Sequence, residues 1–276
     1  MERQIALFPN GFKVDDLWVR QAEIRQLNGY DEQLLAEKNS LPSFFKTTFL
    51  LERIVNFGKL TNKLDVPQLI RHLNLGDRVA LILQVRKFVF GDTMQCVLNC
   101  PNCQEPLSID ISVNSLVQPP AKSFTNEYSL KFEDFTLTLR PIEAADLEAL
   151  TENCSSLNPK EKLVRLCIVS SKPALPEKLT EEFIVAVSSK LEEIDPQADI
   201  VLNLTCPSCN RPFQAPLDVE SFFFEEMASR VKQLEKEIHW IALNYHWSED
   251  SILSLPLAKR KRYIELINKT LSGESI

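Results

Sequence analysis

Two tetrapeptides carry the residues best suited to chemistry, Cys100-Pro-Asn-Cys103 and Cys206-Pro-Ser-Cys209. A Cys-x-x-Cys turn brings two thiolates within reach of one small cation, at about 2.3 Å each around a tetrahedral zinc ion. Two such turns supply all four ligands and leave no open position, the pattern of a structural rather than a catalytic zinc. The flanks repeat as well. Leu98-Asn-Cys-Pro-Asn-Cys-Gln-Glu-Pro-Leu107 matches Leu204-Thr-Cys-Pro-Ser-Cys-Asn-Arg-Pro-Phe213, and Ile109, Ile111, Val113 and Leu116 fall at the same offsets as Ala215, Leu217, Val219 and Phe222. A lone Cys-x-x-Cys also arises by chance or as a redox pair. A duplicated one inside matched flanks is far more specific, and a thioredoxin-type pair would open a helix, whereas here strand-like runs lie on both sides. Cys100, Cys103, Cys206 and Cys209 are thus the expected zinc ligands, set in two β-knuckles that close one split zinc ribbon. Cys96, Cys154 and Cys167 have no partner at ligand spacing and read as small buried hydrophobes; Cys96, four residues before Cys100, is the one placed to substitute as a ligand.

The elements that must position these turns are mostly helical. Short alternating pieces, Gln4 to Phe8 and Asp16 to Leu27, suggest a hairpin around the turn-like Pro9-Asn10-Gly11, followed by a helix over Asp31 to Lys38. Phe44, Phe45, Phe49, Leu50, Leu51 and Ile54 make the next helix apolar around much of its surface, so it belongs to the core. Asp65 and Pro67 start another. A further helical run, Asp77 to Phe88, leads into the first knuckle, with Arg78, Arg86 and Lys87 expected on a solvated face. Between the knuckles the pattern predicts a hairpin, Tyr128 to Phe132 with Phe135 to Arg140, then helices over Ala144 to Cys154, Lys160 to Val169 and Thr180 to Ile194. Strand Asp199 to Leu204 enters the second knuckle.

After Asp218, which is placed to cap, Phe224, Met227, Val231, Leu234, Ile238, Ile241 and Tyr245 recur at alternating steps of three and four, a long helix with a narrow apolar seam. That seam either packs on the protein's own core or offers a face to a partner. A short helix starts at Ser248 and the last runs from Leu257 to Leu271. Its Lys259-Arg-Lys-Arg262 cannot occupy one face, so these residues read as solvated with some pairing to the acidic remainder. The fold class expected is α+β: mostly helical, with the split ribbon and an inserted β-hairpin and helix module. The expected organisation is an N-terminal hairpin and helices over 1–95, the ribbon over 96–118 with 199–218, the insert over 119–198, and C-terminal helices over 219–276.

Composition narrows the function. With 276 residues, 44% hydrophobic and 25% charged, the chain has ample material for a core, and its net charge of -7 disfavours a protein that grips nucleic acid through phosphates,. Seven cysteines including two Cys-x-x-Cys pairs fit metal binding in a reducing cytoplasm better than a disulfide framework,. The first residues lack a cationic stretch followed by an apolar run, so no signal peptide is expected, nor is a membrane span. Six glycines form no phosphate-binding loop,. His72, His239 and His246 make no zinc-protease pair, and no nucleophile with a nearby base is legible. An enzyme is not expected.

The chain resembles the T4-type phage baseplate hub assembly chaperone family, and most closely its branch in phage-tail-like contractile injection systems. The resemblance lies in Leu75-Gly-Asp-Arg-Val-Ala-Leu-Ile-Leu-Gln-Val-Arg-Lys-Phe-Val-Phe-Gly91, in Leu98 to Cys103, in Leu202 to Cys209, and in Glu237-Ile-His-Trp-Ile-Ala-Leu-Asn-Tyr-His-Trp-Ser-Glu249 with Ile252 to Pro256 and Arg260 to Leu266. It covers the chain from about residue 40 onward. It implies a non-enzymatic protein that helps the baseplate hub assemble or stays within it, contacts hub or spike proteins, and uses Cys100, Cys103, Cys206 and Cys209 as zinc ligands. The alternative from the residues alone is a zinc-ribbon nucleic-acid-binding or regulatory protein acting through Lys259 to Arg262, and a thiol oxidoreductase is a more remote one.

Overall fold

Alternating apolar side chains near the start of the chain pair as β1 (Arg3–Val14) and β2 (Leu17–Arg25). The computed structural model of the chain describes residues 3–62, 65–121, 125–152 and 158–273. Pro9-Asn10-Gly11 does not turn the chain as its composition suggests. β1 continues through it, the register shifts between Leu7 and Phe12, and the reversal falls at Asp15 and Asp16. The turn-favouring residues form a bulge instead, with Gly11 at φ 70°, and a bulge re-aims side chains: Asn10 is turned toward a helix start described below,.

Helix α1 (Gly29–Glu37) opens with a reciprocal capping box between Asn28 and Asp31,. The phenylalanine-rich α2 (Ser43–Ile54) runs directly into β3 (Val55–Asn56), which adds a third strand beside β2. Asp65 caps α3 (Val66–Arg71) by accepting the Gln68 N–H, as its position predicts,. Asn74 does the same for α4 (Leu75–Phe90), whose Leu81, Ile82 and Leu83 are fully buried beneath the first sheet. The two-stranded ribbon β4 (Thr93–Asn99) and β5 (Pro106–Ser112) carries the first cysteine pair at its tip, then α5 (Val113–Leu116) adds one turn.

The insert forms a second sheet, β6 (Tyr128–Phe132), β7 (Phe135–Leu139) and β8 (Ile168–Lys172), with α6 (Ala144–Glu152), α7 (Pro159–Cys167) and α8 (Glu181–Ile194). The strand β8 corrects the expectation of helix as far as Val169. α7 ends at Cys167, and β-branched Ile168 and Val169 continue along the open edge of β7,. Cys154 lies outside the described residues. The insert's buried side chains, Leu137, Leu139, Val164, Phe183 and Val187 among them, form a cluster separate from the N-terminal one.

The second ribbon, β9 (Ile200–Thr205) with β10 (Pro212–Leu217), repeats the first and leads into α9 (Val219–Tyr245), capped by Asp218. Ser248 caps α10 (Glu249–Leu253), and α11 (Leu257–Ser272) ends the fold. Helices predominate and the sheets are antiparallel, an α+β architecture. α9 packs on α1, α2, α4, α10 and α11. Most of its seam faces the protein itself: Phe224, Met227, Leu234 and Ile241 are buried, while Val231 and Ile238 stay half-covered.

Three basic residues expected in solvent are buried. Arg78 is 1% exposed, pairs with Glu220 at 2.8 Å, bonds Thr48 Oγ1 and Phe44 O, and stacks over the Phe44 ring. Arg86 makes a fork–fork pair with Glu226 at 2.9 and 2.7 Å,. Both rivet α4 to the first turns of α9, a contact no local pattern announces; Lys87 does remain partly open beside Asn114. Within Lys259 to Arg262, Arg260 is fully buried against Glu32 and Glu237. A run of four charges wraps a helix, so one of them must face its packed side.

Candidate metal centre

Both cysteine turns are built by the same backbone. In the first, the Cys100 N–H bonds Glu105 O at 2.9 Å and the Gln104 N–H bonds Cys100 O at 2.9 Å; in the second, the Cys206 N–H bonds Arg211 O at 3.1 Å and the Asn210 N–H bonds Cys206 O at 2.8 Å. Gln104 and Asn210, each just past its second cysteine, take left-handed φ of 61° and 55°, a conformation in which asparagine is favoured among non-glycine residues. The ladder register repeats too. Asn99 faces Pro106 and Leu98 faces Leu107, as Thr205 faces Pro212 and Leu204 faces Phe213. The sequence repeat is therefore a repeat of strand, knuckle, strand and helix start, with Val113 and Val219 buried at the first turn of α5 and α9.

The two tips meet. The ligand atoms of Cys100, Cys103, Cys206 and Cys209 all lie within 4.8 Å of one another. The close approaches run between the turns, Cys100 to Cys209 at 3.8 Å and Cys103 to Cys206 at 3.6 Å. A regular tetrahedron of thiolates about 2.3 Å from a central ion has edges of about 3.8 Å, so these residues fit a small tetrahedral cation. They are free thiols, too far apart for an S–S bond of about 2.05 Å,. Leu98, Leu107 and Phe213 pack around the buried Cys100 and Cys206, while Cys103 and Cys209 lie nearer the surface.

Electrostatics point the same way. Burial resists ionisation of Cys100, but the N–H groups of Cys103 and Asn102 aimed at its sulfur outweigh that and bring it down to about 6. For Cys103 the N–H of Glu105 favours the thiolate, yet burial and the three neighbouring sulfurs prevail and push it up to about 12. Four sulfurs in one small volume cannot all carry charge unless a cation shares it. Cys96 is not among them: it lies in β4 opposite Ile109, buried in the main core. None of His72, His239 and His246 joins the cluster.

The family model described as T4 bacteriophage base plate protein matches residues 25–225. The chain belongs to that family. Both knuckles and the whole insert lie within the match, which stops in the first turns of α9. No curated protein and no solved structure matches the chain. Among its described residues, no helix is long and apolar enough to cross a membrane.

Two further polar centres stand out among the described residues of this base plate protein. At the start of α4, Asp77 accepts from the Asn10 N–H at 2.8 Å and from Asn74 Nδ2 at 3.0 Å, while Asp195, from the C-terminal end of α8, accepts from the Gly76 N–H at 2.8 Å and Asn10 Nδ2 at 2.6 Å. This joint ties the insert to the N-terminal body. Burial pushes Asp77 up to about 7 against its donor bonds, with the charge of Asp195 adding to the rise, and burial raises Asp195 as well. The second centre is a cluster of Glu32, Glu237, Arg230 and Arg260 that locks α1, α9 and α11 together. A signal for the first existed in the Asn-Leu-Gly-Asp cap sequence; the second has none, because its members are scattered along the chain.

Proposed function

We propose that this chain is a non-enzymatic, zinc-binding baseplate protein of a phage tail or contractile injection system, which assists or forms part of baseplate hub assembly through protein–protein contacts. The observation that carries the reading is the four-sulfur cluster inside the stretch shared with the base plate family. Zinc suits it because a d¹⁰ ion accepts four thiolates in a tetrahedron without a geometric preference of its own. Cys100, Cys103, Cys206 and Cys209 would hold it. Its role is mechanical: it joins two hairpins about a hundred residues apart in sequence, fixes the base from which the insert emerges, and so orients the insert and the C-terminal helices toward a hub or spike protein. A nucleic-acid role loses support, since Arg260 is withdrawn from the only four-cation run and the net charge is -7.

Mass spectrometry of purified tail-like particles and of unassembled hub fractions, with zinc quantified on the same samples, tests this. Presence in particles at fixed stoichiometry with about one zinc per chain is expected of a resident component. Recovery of the zinc-loaded chain only with unassembled hub proteins would make it a chaperone. Its absence from both sinks the reading, and a metal-free chain in either removes the zinc from it.

A further inference from the structure

The insert carries fourteen acidic and nine basic side chains over residues 119–198, most of the chain's net negative charge. Against that module α7, α8 and the approach to β9 enclose a depression of 360 Å³. Its floor is apolar, formed by Leu75, Ile142, Leu163, Val164 and Leu191. Its polar groups stand at the mouth: Glu192, Asp199 and Lys160 are exposed, and Asp195 is already engaged by Gly76 and Asn10. Ser188 and Glu192, four residues apart on one face of α8, form one wall of the opening,. A second depression of 300 Å³ shares Leu75, Ala198 and Asp199 with the first and adds exposed Asp218 to the acidic border, Glu220 there being paired with Arg78.

An apolar trough bordered mainly by carboxylates calls for a ligand with the opposite arrangement. Small-molecule sites place a few polar groups convergently within the pocket; here they ring an elongated opening, which suits an amphipathic helix anchored at every third and fourth residue. We propose that this trough is the docking site for an amphipathic helical segment of another baseplate protein, apolar on one side and flanked by lysine or arginine. The proposal rests on the baseplate reading above and adds the surface and the chemistry of the partner. Charge selects the partner and steers its approach, while the apolar floor supplies the affinity.

The test replaces Ser188 with the photo-crosslinking residue p-benzoylphenylalanine in the full-length, zinc-loaded chain, with Ser189 on the solvent side of the same helix as control. Irradiated assembly intermediates and particles are then mapped by mass spectrometry. The expected result is a crosslink from position 188, not 189, to a basic and apolar segment of a different baseplate protein, reduced at least tenfold by Glu192→Lys with Asp199→Lys. A chain found in these fractions with no crosslink at 188, with a crosslink to an acidic segment or to a second copy of itself, or with one indifferent to the charge reversals, overturns the docking site and leaves the baseplate reading standing. A chain absent from every baseplate fraction overturns both.

Discussion

Gly76 has no side chain because Asp195 fills the place of one: a Cβ built there would fall 1.9 Å from Asp195 Oδ1. The approach lets a carboxylate from the insert accept the second N–H of α4, beside the cap that Asn74 provides, and it sets two acids close together in a buried site. Their titration has a definite sign. Both folded pKa values lie above the ordinary aspartate value of about 3.9,. The stabilisation they give is therefore fully present below pH ~4 and is lost as pH rises through the folded value, about 7 for Asp77,. Asp31 runs the other way: burial opposes its ionisation, but the bonds from Arg25 and Asn28 prevail and lower its pKa, so its contribution is constant above pH 5,. Asp77→Asn removes the titration while keeping an acceptor for Asn10. Thermal melts of zinc-saturated protein at pH 5 and pH 8 should show the variant gaining on the wild type by several degrees at the higher pH. An equal difference at the two pH values would show that Asp77 does not hold a proton in the fold.

At the scale of elements, α9 is the member the others share. Its seam packs on α1, α2 and α4 near the start of the helix and, through Ile238, Ile241 and Tyr245, against Ile252 of α10 and Ile267 of α11 near its end, while charged groups out of water add further contacts. Arg260 of α11 meets Glu32 of α1 and Glu237 of α9, and also bonds Leu255 O. Removing one member of such a cluster leaves the others buried without compensation, a cost of about 3–5 kcal/mol. Arg260→Ala should lower unfolding free energy by that order in denaturant titration, whereas exposed Lys261→Ala should stay within about 0.5 kcal/mol. Similar effects for the two would mean that the four basic residues are equivalent and the cluster unimportant. Net strength is not the point of such a cluster, since apolar replacements of a complete ion-pair group are often as stable. Together with the apolar cluster around Ile241, Ile252 and Ile267, it holds α11 against α1 and α9.

For the whole molecule the decisive constraint is the junction of two hairpins that share no strand pairing. Among the described residues, their tips, the apolar residues beneath them and whatever the sulfurs hold keep the two hairpins together at one end, and buried Gln197, which accepts from the Gln118 N–H and donates to Leu116 O, joins them at the other. Cys103 and Cys209 are the less buried of the four, so Cys103→Ser with Cys209→Ser removes two ligands with little damage to packing. Opening a loop of roughly a hundred residues returns about 4–5 kcal/mol of chain entropy to the unfolded state by the loop-closure relation. On the proposed zinc reading the double variant should bind no zinc, and its melting temperature should fall by about 10 °C. Chelator-treated wild type should melt with it. Unchanged melting in both would reduce the metal to a passenger.

The knuckles, the caps at Asp65, Asp218 and Ser248, the insert's hairpin and most helices were legible from residue order alone. Each depends on neighbours a few residues apart, where spacing and backbone preference suffice. Turn chemistry was less legible at Pro9-Asn10-Gly11, because the same residues serve a bulge as well as a reversal. The strand β8 was hidden because its pairing edge comes from β7, about thirty residues earlier,. Which charges left water followed from long-range packing: Arg260 reaches Glu32 across 228 positions, and Asp195 reaches Gly76 across 119. The same holds for the 3.6 and 3.8 Å approaches between the two cysteine turns. Burial and charge pairing depend on what the rest of the chain brings to a residue, and that is set by packing rather than by the residue's place in the sequence.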